Sequence, residues 1–329
     1  MTTDGDASTA PNPHKAAPGL LSSSSSFSLP VGHNIELGAV RGYPIDLTVK
    51  AAVAHWPPPF VLRYSEPPWQ AVFQWGLGCY ERYLDDGDER GLEAATRAGR
   101  YALEGQRHGG HLDGAWFHHE PFPHTFTMPS PWLSAMAQGE GASLLVRLYG
   151  ETGEEVFADS ALRALGPLAV PSEEGGVQAL LGGRPFPEEY PTSPPSFVLN
   201  GAVFALWGVH DVAVALDDPG KRRAFSDGVD TLADEIHRWD LGYWSRYDLF
   251  PHPVVNVASS FYHDLHINQL TAMHRIAPRP QLHRTAERFR GYTASRSAQA
   301  RGFAGKVLFR LAVPRSQRLA RGLPWAQPV

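Results

Sequence analysis

Two adjacent carboxylates and a tyrosine stand just before a predicted helix, within residues 187–201. Glu188, Glu189 and Tyr190 are followed by a short run rich in proline and serine, and then by an apolar stretch. A helix N-terminus favours negative charge, so it is expected to stabilise the ionised carboxylates and to attract an anionic substrate. The structural alternative is a pair of exposed loop acids, with Ser196 as the N-cap of the helix.

A second group of polar residues lies in a later connection and in the helix that follows it. Tyr247 stands in the segment 242–249, which reads Gly-Tyr-Trp-Ser-Arg-Tyr-Asp-Leu. Tyr262, His266 and Gln269 are spaced i, i+4 and i+7, so a helix would carry them on one face. Such a face lines either a catalytic cavity or an ordinary polar interior. Tyrosine and glutamate side chains that share a cleft can act as proton donors and acceptors when their pKa values are shifted.

The elements that must position these residues are four predicted helical hairpins. Apolar residues recur at helical spacing in paired segments, and turns rich in Gly, Asp and Pro separate the two members of a pair. The first helix of each pair is the more apolar, which predicts inner and outer layers. We predict a mainly α fold, an incomplete α/α toroid of about four helical hairpins with a short N-terminal β segment. The pairs are 69–84 with 89–103, 131–149 with 154–165, 197–216 with 221–239, and 262–276 with 281–295.

The connections between the hairpins are unusually long. They cover residues 105–130, 166–196 and 240–261 and are rich in aromatic residues, histidine and proline. Loops of more than about 12 residues in a compact domain usually have a function. We therefore expect the chemistry at the end of the toroid where these connections meet.

Four regions are predicted along the chain. Residues 1–30 form a polar, disordered head, and residues 31–60 a short β segment, because β-branched residues alternate around Gly42-Tyr43-Pro44. Residues 61–298 form the toroid, which is the expected catalytic domain. Residues 299–329 form a basic amphipathic tail.

Composition excludes several classes of protein. Of 329 residues, 43% are hydrophobic and the formal net charge is −5, which is unlike a disordered, fibrous or nucleic-acid-binding chain. Cys79 is the single cysteine, so neither an internal disulfide nor a cysteine-based zinc site can form. No stretch has the apolar length of a signal peptide or a membrane span. We expect a cytoplasmic protein with no nucleic-acid partner.

Three motifs are specific enough to suggest a family. They are the run 128–141 (MPSPWLSAMAQGEG), the pair 188–192 (EEYPT) with 196–201 (SFVLNG), and the run 266–270 (HINQL). In sequence, order and spacing they resemble the D-glucuronyl C5-epimerase family, which acts on heparosan and heparan sulfate precursors. The resemblance covers residues 61–296 and is to a short, microbial-type member. It implies an N-terminal β part followed by an α/α helical domain, most of the large β region of the animal enzymes being absent here.

The resemblance also implies roles for individual residues. Asn200 and His266 match positions that line the family's cleft. Animal members have an arginine directly after Tyr-Asp-Leu, where this chain has Phe250, and the loss of that cation argues against a sulfated substrate. The catalytic positions fall on Glu189, Tyr190, Tyr247 and Tyr262.

The family's reaction inverts C5 of a uronic acid within a polysaccharide, and so converts D-glucuronate to L-iduronate. A proton next to a carboxylate must leave, and one must return from the opposite face, which requires a neutralised carboxylate, a base and an acid. No cofactor is expected. Glu189 with either Tyr262 or Tyr247 is expected to act on the two faces, while Tyr190 and His266 bind the uronate carboxylate.

Two alternatives share part of this interpretation. A polysaccharide lyase forms the same carbanion and then expels the C4 oxygen, so it could use the same fold and the same first step. A protein without catalytic activity could bind the acidic glycan through the same residues. In each case the predicted partner is an acidic, heparosan-like polysaccharide.

Further candidates rest on residue type and position. The connection 105–130 holds five histidines, but their spacing fits no common metal motif, so no metal site is predicted. The aromatic residues of this connection can stack on sugar rings or fill the core. The candidate substrate-binding residues are Arg63, Tyr64, Gln74, Trp116 and Arg246.

The tail contains Lys306 and five arginines but no acidic residue from position 301 onward. Apolar residues alternate with these cations, which predicts a basic amphipathic helix. Such a helix contacts an anionic membrane peripherally or holds the polyanionic glycan, and a solvated tail is the alternative. A homodimer is a further expectation.

Overall fold

The computed structural model describes residues 28–51, 68–119, 122–123, 125–128 and 130–314. Within these ranges the chain is mainly helical, which confirms the predicted fold class. The predicted binders Arg63 and Tyr64 lie outside the described residues. The helices are α1 (Trp69–Asp86), α2 (Glu89–Gly105), α3 (Ala135–Thr152), α4 (Glu155–Ala164), α5 (Leu199–Ala215), α6 (Pro219–Glu235), α7 (Ser260–Ile276), α8 (Pro280–Thr293) and α9 (Arg296–Ala312).

Local capping residues set the helix boundaries. Asp88 and Asp218 accept backbone N–H bonds at the starts of α2 and α6, as N-cap carboxylates do. Gly87 and Gly153 end α1 and α3 in the left-handed conformation. The second hairpin begins later than predicted because Ser134 is the N-cap of α3 and its hydroxyl accepts from the Ala137 N–H.

The eight helices α1 to α8 form four hairpins in two layers. The first helices α1, α3, α5 and α7 pack on one another in chain order, and each also packs on the helix that follows it. Helices α3 and α5 are buried along almost their whole length, whereas α2, α6 and α8 each bury one stripe. The predicted inner and outer layers are therefore present. Closure of the inner helices into a toroid stays a prediction.

Extended structure is sparse in the described ranges. The pair β1 (Phe122–Pro123) and β2 (Thr127–Met128) and the pair β3 (Gln178–Leu181) and β4 (Arg184–Pro187) are both antiparallel. The described part of the predicted β segment, residues 31–51, contains one antiparallel bridge, Val31 to Ile45, and a 3-10 turn at Thr48–Ala51. A buried arginine of α3 also holds this segment, since it donates to two of the segment's backbone carbonyls.

That arginine is Arg147, and it connects three parts of the molecule. Its guanidinium donates to the carbonyls of Arg41 and Gly42 and forms a 2.6 Å ion pair with Asp211 of α5. Arg147 and Asp211 are both almost completely buried. Their opposite charges compensate each other, as a buried ion pair requires. The N-terminal segment is thus fixed to the two central inner helices.

The predicted head and tail boundaries differ from the packing. Leu29, placed in the head, is 3% exposed, and its carbonyl accepts from the Asn268 side chain at 3.0 Å. Helix α9 starts at Arg296, inside the predicted toroid, and packs on the body of the protein with Phe309 fully buried. No helix in the described part of the chain is both long and apolar enough to cross a membrane.

Helices α3 and α5 approach so closely that a glycine of one faces a glycine of the other. A Cβ atom on Gly139 would lie 2.5 Å from the Ala205 Cα, and one on Gly208 would lie 2.4 Å from the Gly139 Cα. These distances are shorter than any normal carbon contact. The pair therefore sets the separation of the two inner helices that carry Glu140 and Asn200.

We expect Gly139→Ala to lower the free energy of unfolding by about 1–3 kcal/mol, because the added methyl group must push the α3 and α5 backbones apart. Urea unfolding followed by circular dichroism measures the effect. Gly150→Ala in the same helix is the matched control, since a Cβ there meets nothing within 4 Å. It should be neutral or stabilising by up to about 1 kcal/mol. Equal effects of the two substitutions would contradict the close approach.

Candidate functional site

Glu189 and Tyr190 lie in the buried connection between β4 and α5. They are 3% and 6% exposed. Burial raises the pKa of Tyr190 well above its usual value; the neighbouring Glu189 carboxyl group acts in the same direction, and Tyr247 also acts on it. The three buried side chains Tyr247, Tyr190 and Glu189 are thus electrostatic neighbours, and we call them the relay. The relay joins residues that the sequence places more than fifty positions apart.

Glu188 braces this connection from the other side. Both of its carboxylate oxygens accept from the Phe197 N–H at 3.0 Å, and the Ser196 hydroxyl donates to one of them. Phe197 has a φ of +45°, a left-handed conformation that is rare for a non-glycine residue. The Glu188 carboxylate compensates that strained turn, so Glu188 positions the segment and Glu189 faces the relay.

The electrostatics of this pair differ from the prediction. Burial raises the pKa of Glu188 and that of Glu189 to about 8. For Glu188 the hydrogen bonds from Ser196 and the Phe197 N–H favour the ionised form, but the lost hydration outweighs them. The alternative of exposed loop acids is wrong, and so is Ser196 as N-cap, since Val198 occupies that position.

Tyr262, at the start of α7, packs against the relay. Its ring lies 4.7 Å from that of Tyr247, centroid to centroid, in an edge-to-face arrangement. Tyr262 is partly exposed, whereas Tyr247 is 4% exposed. The structure thus brings together all four predicted catalytic residues, from the connection before α5, the connection before α7, and α7 itself.

Ser245 links two buried histidines behind the tyrosines. Its hydroxyl lies 2.8 Å from the His263 Nδ1 atom and 3.0 Å from the His266 Nδ1 atom. His263 Nε2 donates to the Phe289 carbonyl at 3.0 Å, so its Nδ1 atom accepts the Ser245 proton. Because the Ser245 hydroxyl gives its proton to His263, the His266 Nδ1 atom donates to Ser245. The His266 Nε2 atom then carries a lone pair and no proton.

This tautomer changes the expected role of His266. Burial and the charge of Lys306 hold the pKa of His266 well below its usual value, so the imidazole is neutral. A neutral ring with a lone pair on Nε2 cannot donate to a carboxylate. His266 therefore offers an acceptor to a hydroxyl group, in place of the predicted carboxylate contact.

Several buried polar atoms near the relay have no hydrogen-bond partner among the described residues. The Gln269 Nε2 atom donates to the Asn200 carbonyl at 3.0 Å, and Asn200 directly precedes Gly201, the residue next to Glu189 Oε2. Buried polar groups without partners are uncommon and mark a place where ligand or solvent completes the bonding. The atoms are Glu140 Oε2, Glu189 Oε2, Asn200 Oδ1, His266 Nε2 and Gln269 Oε1.

Glu140 is a site residue that the sequence analysis missed. It is fully buried on α3 and accepts from the Gln74 side chain at 2.9 Å. Burial raises its pKa well above the usual range. The charges of Glu189 and Lys50 also act on it. An acid between two glycines on an inner helix was the available signal. Gln74, a predicted binder, reaches the site by supporting Glu140.

Two other predicted binders lie elsewhere. Trp116 is 0% exposed and packs in the core at 4.7 Å from Phe73, so neither face of its ring is available to a sugar. Arg246 stands between Ser245 and Tyr247 in an extended segment, where alternate side chains point to opposite sides. Its electrostatic neighbours are Asp248 and Arg238.

Phe250, at the position where animal members of the family have arginine, also has aromatic surroundings in the structure. The Phe250 ring lies 5.4 Å from Phe126 and 4.7 Å from His252. Helix α9 brings a positive charge close to this region, because the Lys306 ammonium lies 5.6 Å from the centre of the Tyr247 ring. Sequence reasoning placed Lys306 in a tail and missed it.

The histidine-rich connection does not form a metal site in the described part of the chain. His118 stacks on Trp132 at 4.2 Å, and burial lowers its pKa to about 3. The described residues contain no group of three or more His, Cys, Asp or Glu side chains placed to hold a metal ion. His124 lies outside the described residues.

Comparison with known proteins identifies the family. Residues 109–291, more than half of the chain, match the family model described as the D-glucuronyl C5-epimerase C-terminus. The chain belongs to the D-glucuronyl C5-epimerase family. The matched residues include the relay, Glu140, Tyr262 and His266, whereas Lys306 lies beyond them.

Two relatives show how much of such a protein the chain represents. It is 32% identical to a D-glucuronyl C5-epimerase of Caenorhabditis elegans over 188 residues, which cover 52% of this chain and 30% of the worm protein. It is 26% identical to an uncharacterized protein of Methanocaldococcus jannaschii over 142 residues, covering 42% of this chain and 46% of that protein. The chain thus spans less than half the length of either relative.

Proposed function

We propose that the chain is an isomerase that converts D-glucuronate to L-iduronate residues within a heparosan-like acidic polysaccharide. The relay, with Tyr262 packed on it, is the observation that carries the proposal, since it joins a buried carboxyl group to a set of phenols. Membership of the D-glucuronyl C5-epimerase family supports the same class of reaction.

Epimerisation at C5 needs two groups with opposite proton status. The C5 proton is weakly acidic because the neighbouring carboxylate is already negative, so a strong and well-placed base is required. A carboxylate whose pKa is about 8 is a much stronger base than an ordinary one, and Glu189 has that property. A phenol on the opposite face can then return a proton to C5.

We assign the base to Glu189 and the acid to Tyr262. Ionised Glu189 removes the C5 proton from one face, and the Tyr262 hydroxyl gives its proton to C5 from the other. Tyr262 is chosen over Tyr247 because Tyr262 is the more exposed of the two and is therefore more accessible to a substrate. At the end of the reaction Glu189 holds a proton and Tyr262 has lost one.

Exchange with solvent restores the starting state. Glu189 gives up its proton and the Tyr262 phenolate takes one up; Tyr262 is partly exposed, whereas Tyr190 and Tyr247 are buried. The proton that Tyr262 gives to C5 in the next turnover therefore comes from solvent, so heavy water labels that carbon.

The partnerless acceptors select a ligand that carries hydroxyl groups. Asn200 Oδ1, His266 Nε2 and Gln269 Oε1 all accept hydrogen bonds, and their partners must be donors. A pyranose ring offers several hydroxyl donors close together. We therefore assign these three atoms to the hydroxyl groups of the reacting uronate or its neighbour.

The test is proton NMR of heparosan incubated with the protein in heavy water. The proposal expects deuterium at C5 and the appearance of iduronate signals. Ultraviolet absorbance of an unsaturated uronate would instead identify a lyase. Binding of heparosan without any deuterium uptake would identify a glycan-binding protein and overturn the proposal.

We expect the rate of C5 exchange to rise with pH, by about tenfold per unit below pH 7, and to level off above about pH 8. The reason is that Glu189 must be ionised to act as base, and burial raises its pKa to about 8. Exchange rates measured between pH 5.5 and 9 check the profile. A rate that falls over the same range would assign the acid role to Glu189.

A further inference from the structure

One face of α9 packs directly on the connection that carries Tyr247. A Cβ atom on Gly302 would lie 2.8 Å from the Trp244 ring, and one on Gly305 would lie 2.8 Å from a Val257 methyl group. Phe309 is fully buried, with its ring 5.0 Å from that of His252. The spacing 302, 305, 309 places these contacts on one side of the helix, and Lys306 lies on the same side.

Lys306 is held there by a buried polar network. Its ammonium donates to the Asn256 Oδ1 atom at 2.9 Å, and the Asn256 amide donates to Asp248. Asn256 and Asp248 are both 0% exposed. The Tyr247 N–H donates to the Asn256 carbonyl at 2.8 Å, so the same asparagine holds the lysine and the relay tyrosine together.

The charge of Lys306 reaches the reacting groups. The ammonium lies 5.6 Å from the centre of the Tyr247 ring, and Tyr247 contacts Tyr262. It also lowers the pKa of His266 from a neighbouring position. Lys50, the other lysine near the site, acts on Glu140 on the α3 side. Lys306 is therefore a cation in contact with Tyr247, which in turn contacts Tyr262.

We propose that Lys306 of α9 binds the carboxylate of the uronate whose C5 is inverted. The assignment rests on the proposed function, and it adds a residue beyond the stretch that matches the family. The partnerless acceptor atoms of Asn200, His266 and Gln269 can bond to hydroxyl groups but repel a carboxylate, so the anion needs a separate donor. A cation beside that carboxylate also stabilises the additional negative charge that develops when C5 loses its proton.

The test compares two ligands on each variant. One is a heparosan oligosaccharide, and the other is the same oligosaccharide with its carboxyl groups reduced to hydroxymethyl groups. Calorimetry gives the ratio of their dissociation constants for the wild-type chain, Lys306→Met and Lys306→Arg. Lys221→Met, on α6 at the opposite end of the hairpins, removes one positive charge away from the site and is the matched control.

We expect Lys306→Met to reduce the preference for the carboxylate ligand about 10- to 100-fold, and Lys306→Arg to restore most of it. Lys221→Met should leave the ratio unchanged. Because both ligands are measured on the same variant, partial unfolding lowers both affinities and does not alter the ratio. An unchanged ratio in Lys306→Met would overturn the assignment.

The deuterium assay separates this inference from the function on which it rests. If the wild-type chain exchanges C5 protons and Lys306→Met keeps the wild-type ligand ratio, the inference alone fails. If the wild-type chain binds the carboxylate ligand through Lys306 but exchanges no C5 proton, the epimerase proposal alone fails.

Discussion

Glu189→Gln is expected to reduce C5 exchange by about 10²–10⁴-fold while leaving the affinity for heparosan oligosaccharides close to that of the wild type. The glutamine amide has nearly the same shape as the carboxyl group, so it can occupy the same buried place beside Tyr190. It has no basic site for the C5 proton. Deuterium incorporation gives the rate, and calorimetry with the same ligand gives the affinity.

Glu188→Gln is the matched control for this substitution. Glu188 is as deeply buried as Glu189 and has the same raised pKa, but its oxygens bond to Ser196 and Phe197. We expect a lower free energy of unfolding and a modest loss of exchange, with the pH profile unchanged. The assignment of the base is refuted if Glu188→Gln abolishes exchange and Glu189→Gln does not.

The helical hairpins could be predicted because their signals are local. Apolar spacing, turn residues such as Gly87 and Gly153, and N-cap residues act within a few positions of the helix they define. The 31–60 segment was less predictable. Its alternating pattern suggested strands, but the described part is shaped by Arg147, which lies about a hundred positions later in the chain.

The membership of the site could be predicted in part, and its electrostatics could not. Sequence motifs and the family resemblance identified the four residues that the structure brings together around the relay. The protonation state of Glu189 depends on how much of the fold covers it, and burial depth is a property of the tertiary structure. The His266 tautomer likewise depends on Ser245, a partner in another segment.

Lys306 and Glu140 were missed for opposite reasons. The apolar and basic pattern around Lys306 was assigned to a peripheral tail, whereas its glycines allow α9 to pack closely on Trp244 and Val257. Away from this packed side, α9 exposes the apolar side chains of Phe303 and Leu311. Glu140 lacked any local sign that the Glu189 carboxyl group, about fifty positions later in the chain, acts on it.

Gly201→Ala is the second substitution with a large expected effect. A Cβ atom at position 201 would lie 2.2 Å from the Glu189 Oε2 atom and 2.6 Å from the Glu189 Cβ atom. The carboxyl group must therefore move by an ångström or more to make room. Displacement of a catalytic group by this amount costs roughly a hundredfold in rate, so we expect a loss of about that size in C5 exchange.

The loss at Gly201 is expected despite a favourable change in helix propensity. Alanine stabilises a helix interior by about 1 kcal/mol relative to glycine, and position 201 lies in the first turn of α5. Gly291→Ala in α8 is the matched control, since its Cβ meets nothing within 4 Å. It should keep full exchange and unfold at equal or higher urea concentration. Full exchange in Gly201→Ala would show that catalysis does not require the Glu189 carboxyl group at its present position, because the methyl group and that carboxyl group cannot occupy the same space.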